Sequence, residues 1–116
     1  DIVKKAGKYV FFHTDGYIME LYPEFIELGV DAINSQLWCM DIDAIAERYA
    51  GKITFWGEID RQHILASGTP EDVYRAAKTM RDKLFVNGGG LIGQSVTGVD
   101  VSLENIEAVL TGWNKD

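Results

Sequence analysis

The chain has 116 residues, 47 % of them hydrophobic, and its 18 acidic against 11 basic side chains give a formal net charge of −7. This length and composition predict one domain over residues 1–116. The excess of acidic side chains argues against nucleic acid as a binding partner, because phosphate binding requires a positive surface. No apolar run reaches the roughly 18 residues of a membrane span, and the N-terminus lacks the apolar core of a signal peptide. With a single cysteine, Cys39, these features predict a soluble cytoplasmic protein without a membrane partner.

The first half of the chain alternates between strand and helix patterns. Residues 9–13 form a continuous apolar run, which predicts a strand buried on both faces. Apolar residues at helical spacing then predict a helix over residues 18–28, which Gly29 ends. A second strand is predicted at 30–34, and a second helix from Asp41, a good N-cap, to about residue 51.

The second half repeats this alternation. It contains a third strand at 52–56, a short helical turn at 61–66, and a long helix from Thr69-Pro70 to about residue 84. A glycine turn at 88–90 precedes a fourth strand at 91–93, and Ser102 caps a last helix. Four strand-helix units predict a parallel sheet with right-handed crossovers. They match the unit size of a (β/α)8 barrel of roughly 250 residues, so the predicted fold class is α/β, about half of a TIM-type barrel.

Ligands of parallel α/β folds bind beyond the carboxyl ends of the strands, so the residues at those positions are the candidates for function. They are His13, Thr14, Asp15 and Gly16 after the first strand, Asn34, Ser35, Gln36 and Trp38 after the second, Glu58, Asp60 and Arg61 after the third, and Gln94, Ser95 and Thr97 after the fourth. We predict substrate contacts for Gln36, Trp38, Arg61 and Gln94. For Trp38, packing in the core is the alternative.

Two pairs of side chains carry the predicted chemistry. His13 and Asp15 are two residues apart and project to one face of an extended segment, which suits an acid-base pair or two metal ligands. The alternative is a strand-end histidine bonded to a neighbouring carbonyl, with Asp15 forming the turn. Zinc would need at least one more protein ligand, and none is spaced nearby. Glu58 and Asp60 are the second acid-base candidates; alternatively, Asp60 caps the following turn.

Nearly the whole chain resembles the C-terminal half of the uroporphyrinogen decarboxylase superfamily, which includes the corrinoid-dependent methyltransferases. The resemblance lies in GKYVFFHTDG (7–16), ELGVDAIN (27–34), FWGEID (55–60), GTPEDV (68–73), and Gly89-Gly90 followed by ENI (104–106). It implies the last four units of a (β/α)8 barrel and a lyase of porphyrin biosynthesis that decarboxylates a tetrapyrrole or related carboxylated substrate. Catalytic roles would fall to His13, Asp15, Glu58 and Asp60.

The resemblance leaves three functional expectations. The first is a decarboxylase fragment without a cofactor, inactive until a missing N-terminal half completes it. The second is a metal-dependent methyltransferase, in which His13 and Asp15 would bind zinc. In that branch the segment reads His-x-Cys with a further cysteine after the last strand, whereas this chain has Asp15, Ser95 and Thr97; the histidine of the decarboxylase branch is also absent between Gly88 and Ser102. The third is a non-catalytic half-barrel that pairs with a second copy of itself as a homodimer.

Overall fold

The computed structural model describes residues 2–114 as alternating strands and helices. The strands are β1 (Phe11–His13), β2 (Ala32–Asn34), β3 (Thr54–Gly57) and β4 (Leu91–Gly93), and the helices are α1 (Ile2–Lys5), α2 (Tyr22–Glu27), α3 (Ile42–Tyr49), α4 (Pro70–Leu84) and α5 (Leu103–Asn114). Short 3-10 helices cover Met19–Leu21 and Leu37–Cys39, and Arg61–Leu65 forms a π-helical turn. None of the described helices is long and apolar enough to cross a membrane.

The four strands form one sheet in the order β1-β2-β3-β4, and all three pairings are parallel. Strand order therefore equals chain order, with a helical crossover between successive strands. This is the arrangement of a partial TIM-type barrel, and the predicted α/β class is confirmed. Helix α1 was not predicted, because its four residues carry no amphipathic repeat that distinguishes a helix from a coil.

Local chemistry sets the helix boundaries much as the sequence indicated. The Asp41 side chain accepts hydrogen bonds from the backbone of residues 43 and 44 at the start of α3. Thr69 and Asp72 form a complete capping box at the start of α4, with Pro70 in the first turn. Gly29 follows α2 with a φ of 77°, a left-handed conformation that glycine adopts without steric cost.

The hydrophobic core lies between the sheet and the helices. Ile33 and Phe55 are fully buried and share one row across β2 and β3, where they pack with residues of α3 and α4 such as Ile45 and Met80. A second cluster joins α4 to α5 and the segment after β3. Burial of each such large apolar side chain contributes about 1.5–3 kcal/mol, so this face holds the sheet and its helices together.

The opposite side of the sheet, which we call the open face, carries Phe11, His13, Asn34, Trp56 and Ile92. The strand register puts Phe11 in one row across the sheet and His13, Asn34, Trp56 and Ile92 in another. The row that contains Ile33 and Phe55 lies between them and faces the opposite side, because side chains alternate along a strand. Phe11 and Ile92 are 50 % and 41 % exposed, and the Phe11 and Trp56 rings meet across β2 with centroids 4.3 Å apart. Phe11, His13, Trp56 and Ile92 belong to neither of the two hydrophobic core clusters.

The prediction that the first strand is buried on both faces is wrong. All three residues of β1 are exposed, because β1 is an edge strand and one of its faces belongs to the open face. Only Phe12 turns toward a helix, where its ring lies 4.9 Å from that of Phe25. The apolar run that suggested burial therefore lies exposed at one edge of the sheet.

Candidate functional site

The carboxyl ends of the four strands meet at one edge of the sheet, which we call the C-terminal rim (residues 13–16, 34–38, 57–61 and 93–97). Register aligns His13 with Asn34, Asn34 with Trp56, and Trp56 with Ile92. The polar residues that follow each strand consequently start from the same level. This edge is where parallel α/β folds bind their ligands.

A chain of hydrogen bonds crosses the C-terminal rim through Asn34. His13 Nδ1 and Asn34 Oδ1 lie 2.6 Å apart, and Asn34 Nδ2 donates to the Trp56 backbone oxygen at 2.9 Å. The same Nδ2 atom lies 3.4 Å from Gln94 Oε1. Asn34 thereby connects the first three strands and the segment after β4. The sequence analysis counted it among the candidates after the second strand but assigned it no role. The only available signal was its position at the end of the second strand.

His13 and Asp15 come together as their spacing predicted. His13 Nε2 lies 3.7 Å from Asp15 Oδ2, and both side chains are more than half exposed. The partner that fixes the imidazole is nevertheless Asn34, across the sheet, at a shorter distance. One ring nitrogen is thus engaged by the protein, and the other faces Asp15 and the surface.

Glu58 is the buried carboxyl group of the C-terminal rim. It is only 8 % exposed, and burial raises its pKa, with Asp15 and Asp60 adding to that effect and Arg61 and His13 opposing it. A carboxyl group with a raised pKa retains its proton at a pH where an ordinary glutamate has lost it. Such groups concentrate at functional sites, although structural networks also produce them.

Asp60 lies next to this group but caps the π-helical turn. Its carboxylate accepts hydrogen bonds from the backbone of Gln62 at 2.9 Å and His63 at 3.0 Å, and from the His63 ring at 3.0 Å. Partial burial pushes the pKa of Asp60 upward, but the His63 and Gln62 hydrogen bonds outweigh it and lower the pKa below its ordinary value. Asp60 is therefore an ionised capping residue, as the structural alternative proposed.

The four predicted substrate contacts fall into different surroundings. Gln36 accepts a hydrogen bond from the Gly16 backbone at 2.7 Å, which ties the first two loops together, and Gln94 reaches Asn34. The Trp38 ring packs against both core clusters, and its Nε1 donates to the Glu58 backbone oxygen at 2.7 Å. Arg61 is exposed at the start of the π-helical turn and lines a cleft of 530 Å³ with the loop after β4.

The order and spacing of these residues fit one protein family. A model of the family described as uroporphyrinogen decarboxylase (URO-D) matches residues 1–112. The chain belongs to the uroporphyrinogen decarboxylase family. Neither the curated proteins nor the solved structures compared with the chain contain a match. Membership in the uroporphyrinogen decarboxylase family agrees with the partial barrel, since this family has a (β/α)8 fold.

Zinc ligation, which the methyltransferase branch of the superfamily implies, does not fit the residues present. A catalytic zinc ion takes three protein ligands and a water or substrate. His13 and Asp15 supply one imidazole and one carboxylate, and within residues 2–114 no group of three or more His, Cys, Asp or Glu side chains is arranged to hold a metal ion.

Proposed function

We propose that the chain forms one wall of the active site of a uroporphyrinogen decarboxylase-like lyase, which removes carboxyl groups from a tetrapyrrole or related carboxylated substrate. The observation that carries the proposal is the group formed at the C-terminal rim by a buried carboxyl, Glu58, within the electrostatic reach of His13, Asp15 and Arg61. The family match supports the reaction class. The small-molecule substrate is bound without a cofactor, and we place the protein in the cytoplasm.

Decarboxylation makes two demands that these residues can meet. The bond between a carbon and its carboxylate breaks, CO₂ leaves, and the electron pair stays on the carbon, which then takes a proton. A cation must hold the carboxylated substrate, and exposed Arg61 beside its cleft offers a planar guanidinium for that purpose. A general acid must deliver the proton, and Glu58, whose pKa is raised by burial, is suited to that role, with His13 within its electrostatic reach.

The open face supports the proposal that this wall is incomplete alone. Phe11 and Ile92 are large apolar side chains left half exposed, and a four-stranded sheet has two unpaired edges. In a closed barrel, this surface becomes interior and the edges disappear. We propose that further strand-helix units, the N-terminal half in the family, complete the site and that the chain is inactive without them.

The test is a decarboxylation assay with uroporphyrinogen. The protein is assayed alone and together with the first four units of a uroporphyrinogen decarboxylase family barrel, and lost carboxyl groups are measured by mass. We expect background for the protein alone and turnover for the combined barrel. Glu58→Gln should lower that turnover by about 10²-fold or more, the usual size of general acid-base catalysis.

Glu107→Gln is the matched control, since Glu107 lies exposed on α5 and should leave turnover unchanged. No product from the combined barrel would reject the decarboxylase proposal. Full turnover with Glu58→Gln would reject the role of Glu58, and turnover by the protein alone would reject the proposed incompleteness.

A second candidate role, non-catalytic self-association, is favoured by the same open face. Two copies would bring their unpaired edges together and form an eight-stranded ring with two-fold symmetry. Light scattering should then give twice the 13.0 kDa mass of the chain. Phe11→Arg, which places a charge on the open face, should return the monomer, whereas a monomeric wild-type protein at low micromolar concentration would exclude the ring.

A further inference from the structure

We propose that Asn34 is a positioning residue that holds His13 in the Nδ1–H tautomer and so makes Nε2 the atom that accepts and returns protons. The inference rests on the proposed function for its catalytic meaning, because that function assigns His13 to the site. The tautomer itself follows from geometry alone. It can be measured whether or not the protein decarboxylates anything.

The backbone of β3 fixes the orientation of the Asn34 amide. One end of this amide lies 2.9 Å from the Trp56 backbone oxygen, which can only accept a hydrogen bond. That end must therefore be the NH₂ group, since the reverse orientation would bring two carbonyl oxygens together. The assignment depends on the backbone of β3, and it holds even though oxygen and nitrogen of an amide resemble each other in shape.

The orientation of the Asn34 amide in turn determines the tautomer of His13. With NH₂ directed at β3, the Asn34 oxygen faces His13 Nδ1 at 2.6 Å. An amide oxygen has no proton to give, so Nδ1 must carry one, and in the neutral ring Nε2 then holds the lone pair. Two lone pairs would otherwise face each other at hydrogen-bond distance. The peptide carbonyl of Trp56 thus determines which nitrogen of His13 is basic.

The other ring nitrogen of His13, Nε2, faces Asp15 and the protein surface. It lies 3.7 Å from Asp15 Oδ2 on the exposed side of the ring. A neutral Nε2 accepts from an O–H or N–H group of a substrate, and a protonated Nε2 donates to an anion or pairs with Asp15. Both states keep the bond from Nδ1 to Asn34, so proton exchange requires no rearrangement of the ring. This is the preorganisation expected of an acid-base group.

The chain offers an internal reference in its second histidine. His63 Nδ1 lies 3.0 Å from Asp60 Oδ2, far from Asn34 in sequence, and its side chain is 81 % exposed. Substitutions at Asn34 should leave the spectrum of His63 unchanged. Any effect confined to His13 then reports on Asn34 rather than on the whole fold.

The experiment is long-range ¹H–¹⁵N NMR of the histidine rings in the ¹⁵N-labelled protein, recorded roughly two pH units above the ordinary histidine pKa. We expect His13 to show a protonated Nδ1 and an unprotonated Nε2. Asn34→Leu should release the ring toward the Nε2–H tautomer that predominates in unconstrained histidine. Asn34→Asp keeps an oxygen that accepts from Nδ1 and should therefore keep the Nδ1–H tautomer, although it loses the hydrogen bond that the Asn34 amide donates to the Trp56 backbone oxygen.

Gln94→Leu is the matched control, because it removes only the 3.4 Å contact and leaves the Trp56 carbonyl to orient Asn34; His13 should keep its tautomer. A wild-type His13 found mainly as Nε2–H would overturn the inference. An unchanged tautomer in folded Asn34→Leu would also overturn it. If that variant does not fold, the wild-type, Asn34→Asp and Gln94→Leu spectra decide. If His13 shows the expected tautomer but the completed barrel lacks decarboxylase activity, the proposed function is rejected and the inference about Asn34 stands.

Discussion

Asn105→Ala should destabilise the fold through the segment that follows the π-helical turn. Asn105 is 3 % exposed on α5, and its Nδ2 donates to the backbone oxygens of Leu65 at 3.0 Å and Gly68 at 2.9 Å. Its Oδ1 is buried without a hydrogen-bond partner among the described residues. The side chain thus fastens the end of the turn that carries Arg61 to a helix that is distant in sequence.

The magnitude follows from counting these groups. The buried Leu65 carbonyl and the partly buried Gly68 carbonyl lose their donor at a cost of about 2–5 kcal/mol together, and removal of the unsatisfied oxygen returns about 1–2 kcal/mol. We expect the free energy of unfolding to fall by about 2 kcal/mol, measured by urea denaturation followed by tryptophan fluorescence.

The chain supplies a matched control in the same helix. Asn114 Nδ2 donates to the Leu110 backbone oxygen at 2.7 Å, but the side chain is exposed, so water replaces it when it is removed. Asn114→Ala should change the free energy of unfolding by less than about 0.5 kcal/mol. Equal effects of Asn105→Ala and Asn114→Ala would refute the reasoning, because they would show that burial of the two carbonyls does not matter.

Three further substitutions test the site and its supports. Burial raises the pKa of Glu58 in the folded state, so its contribution to stability is present below about pH 4.5 and is lost as the pH rises through the folded pKa. Glu58→Gln should therefore raise the melting temperature at neutral pH but not in acid. An equal shift at both pH values would contradict this. Trp38→Phe removes the 2.7 Å bond to the Glu58 backbone and should cost about 1 kcal/mol in urea, and no loss would mean that water takes over the bond. Thr69→Ala breaks the capping box with Asp72 and should cost about 1 kcal/mol, whereas Thr69→Ser keeps a hydroxyl and should restore most of it.

Features that depend on nearby residues were predictable from the sequence. Asp41 and Thr69 mark helix starts because a capping side chain bonds to backbone groups two or three residues away. The alternation of strands and helices restricts the topology to a parallel sheet, and the observed order follows. The spacing of His13 and Asp15 likewise predicted their approach.

Features that depend on strand register or on the position of a strand at the sheet edge were not predictable. Asn34 reaches His13 and Trp56 only because three strands align at one level, which no short sequence pattern encodes. The apolar β1 was expected to be buried, but it is exposed. An apolar run in the sequence does not show whether other residues of the same chain cover it. For Asp60, the sequence left catalysis and capping open. The path of the backbone after residue 60 puts its carboxylate in the capping position, and a catalytic role stays a prediction.

The sequential order of the strands has a consequence for how the chain folds. Phe11 pairs with Ala32 and Ala32 with Thr54, so the first two crossovers span 21 and 22 residues, whereas Phe55 and Leu91 are separated by 36. Closing the longer loop costs only ~0.5 kcal/mol more in chain entropy. Each strand therefore docks on a neighbour that the chain has already made, and the sheet can grow one unit at a time. Assembly during synthesis would follow the same direction, from β1 toward β4.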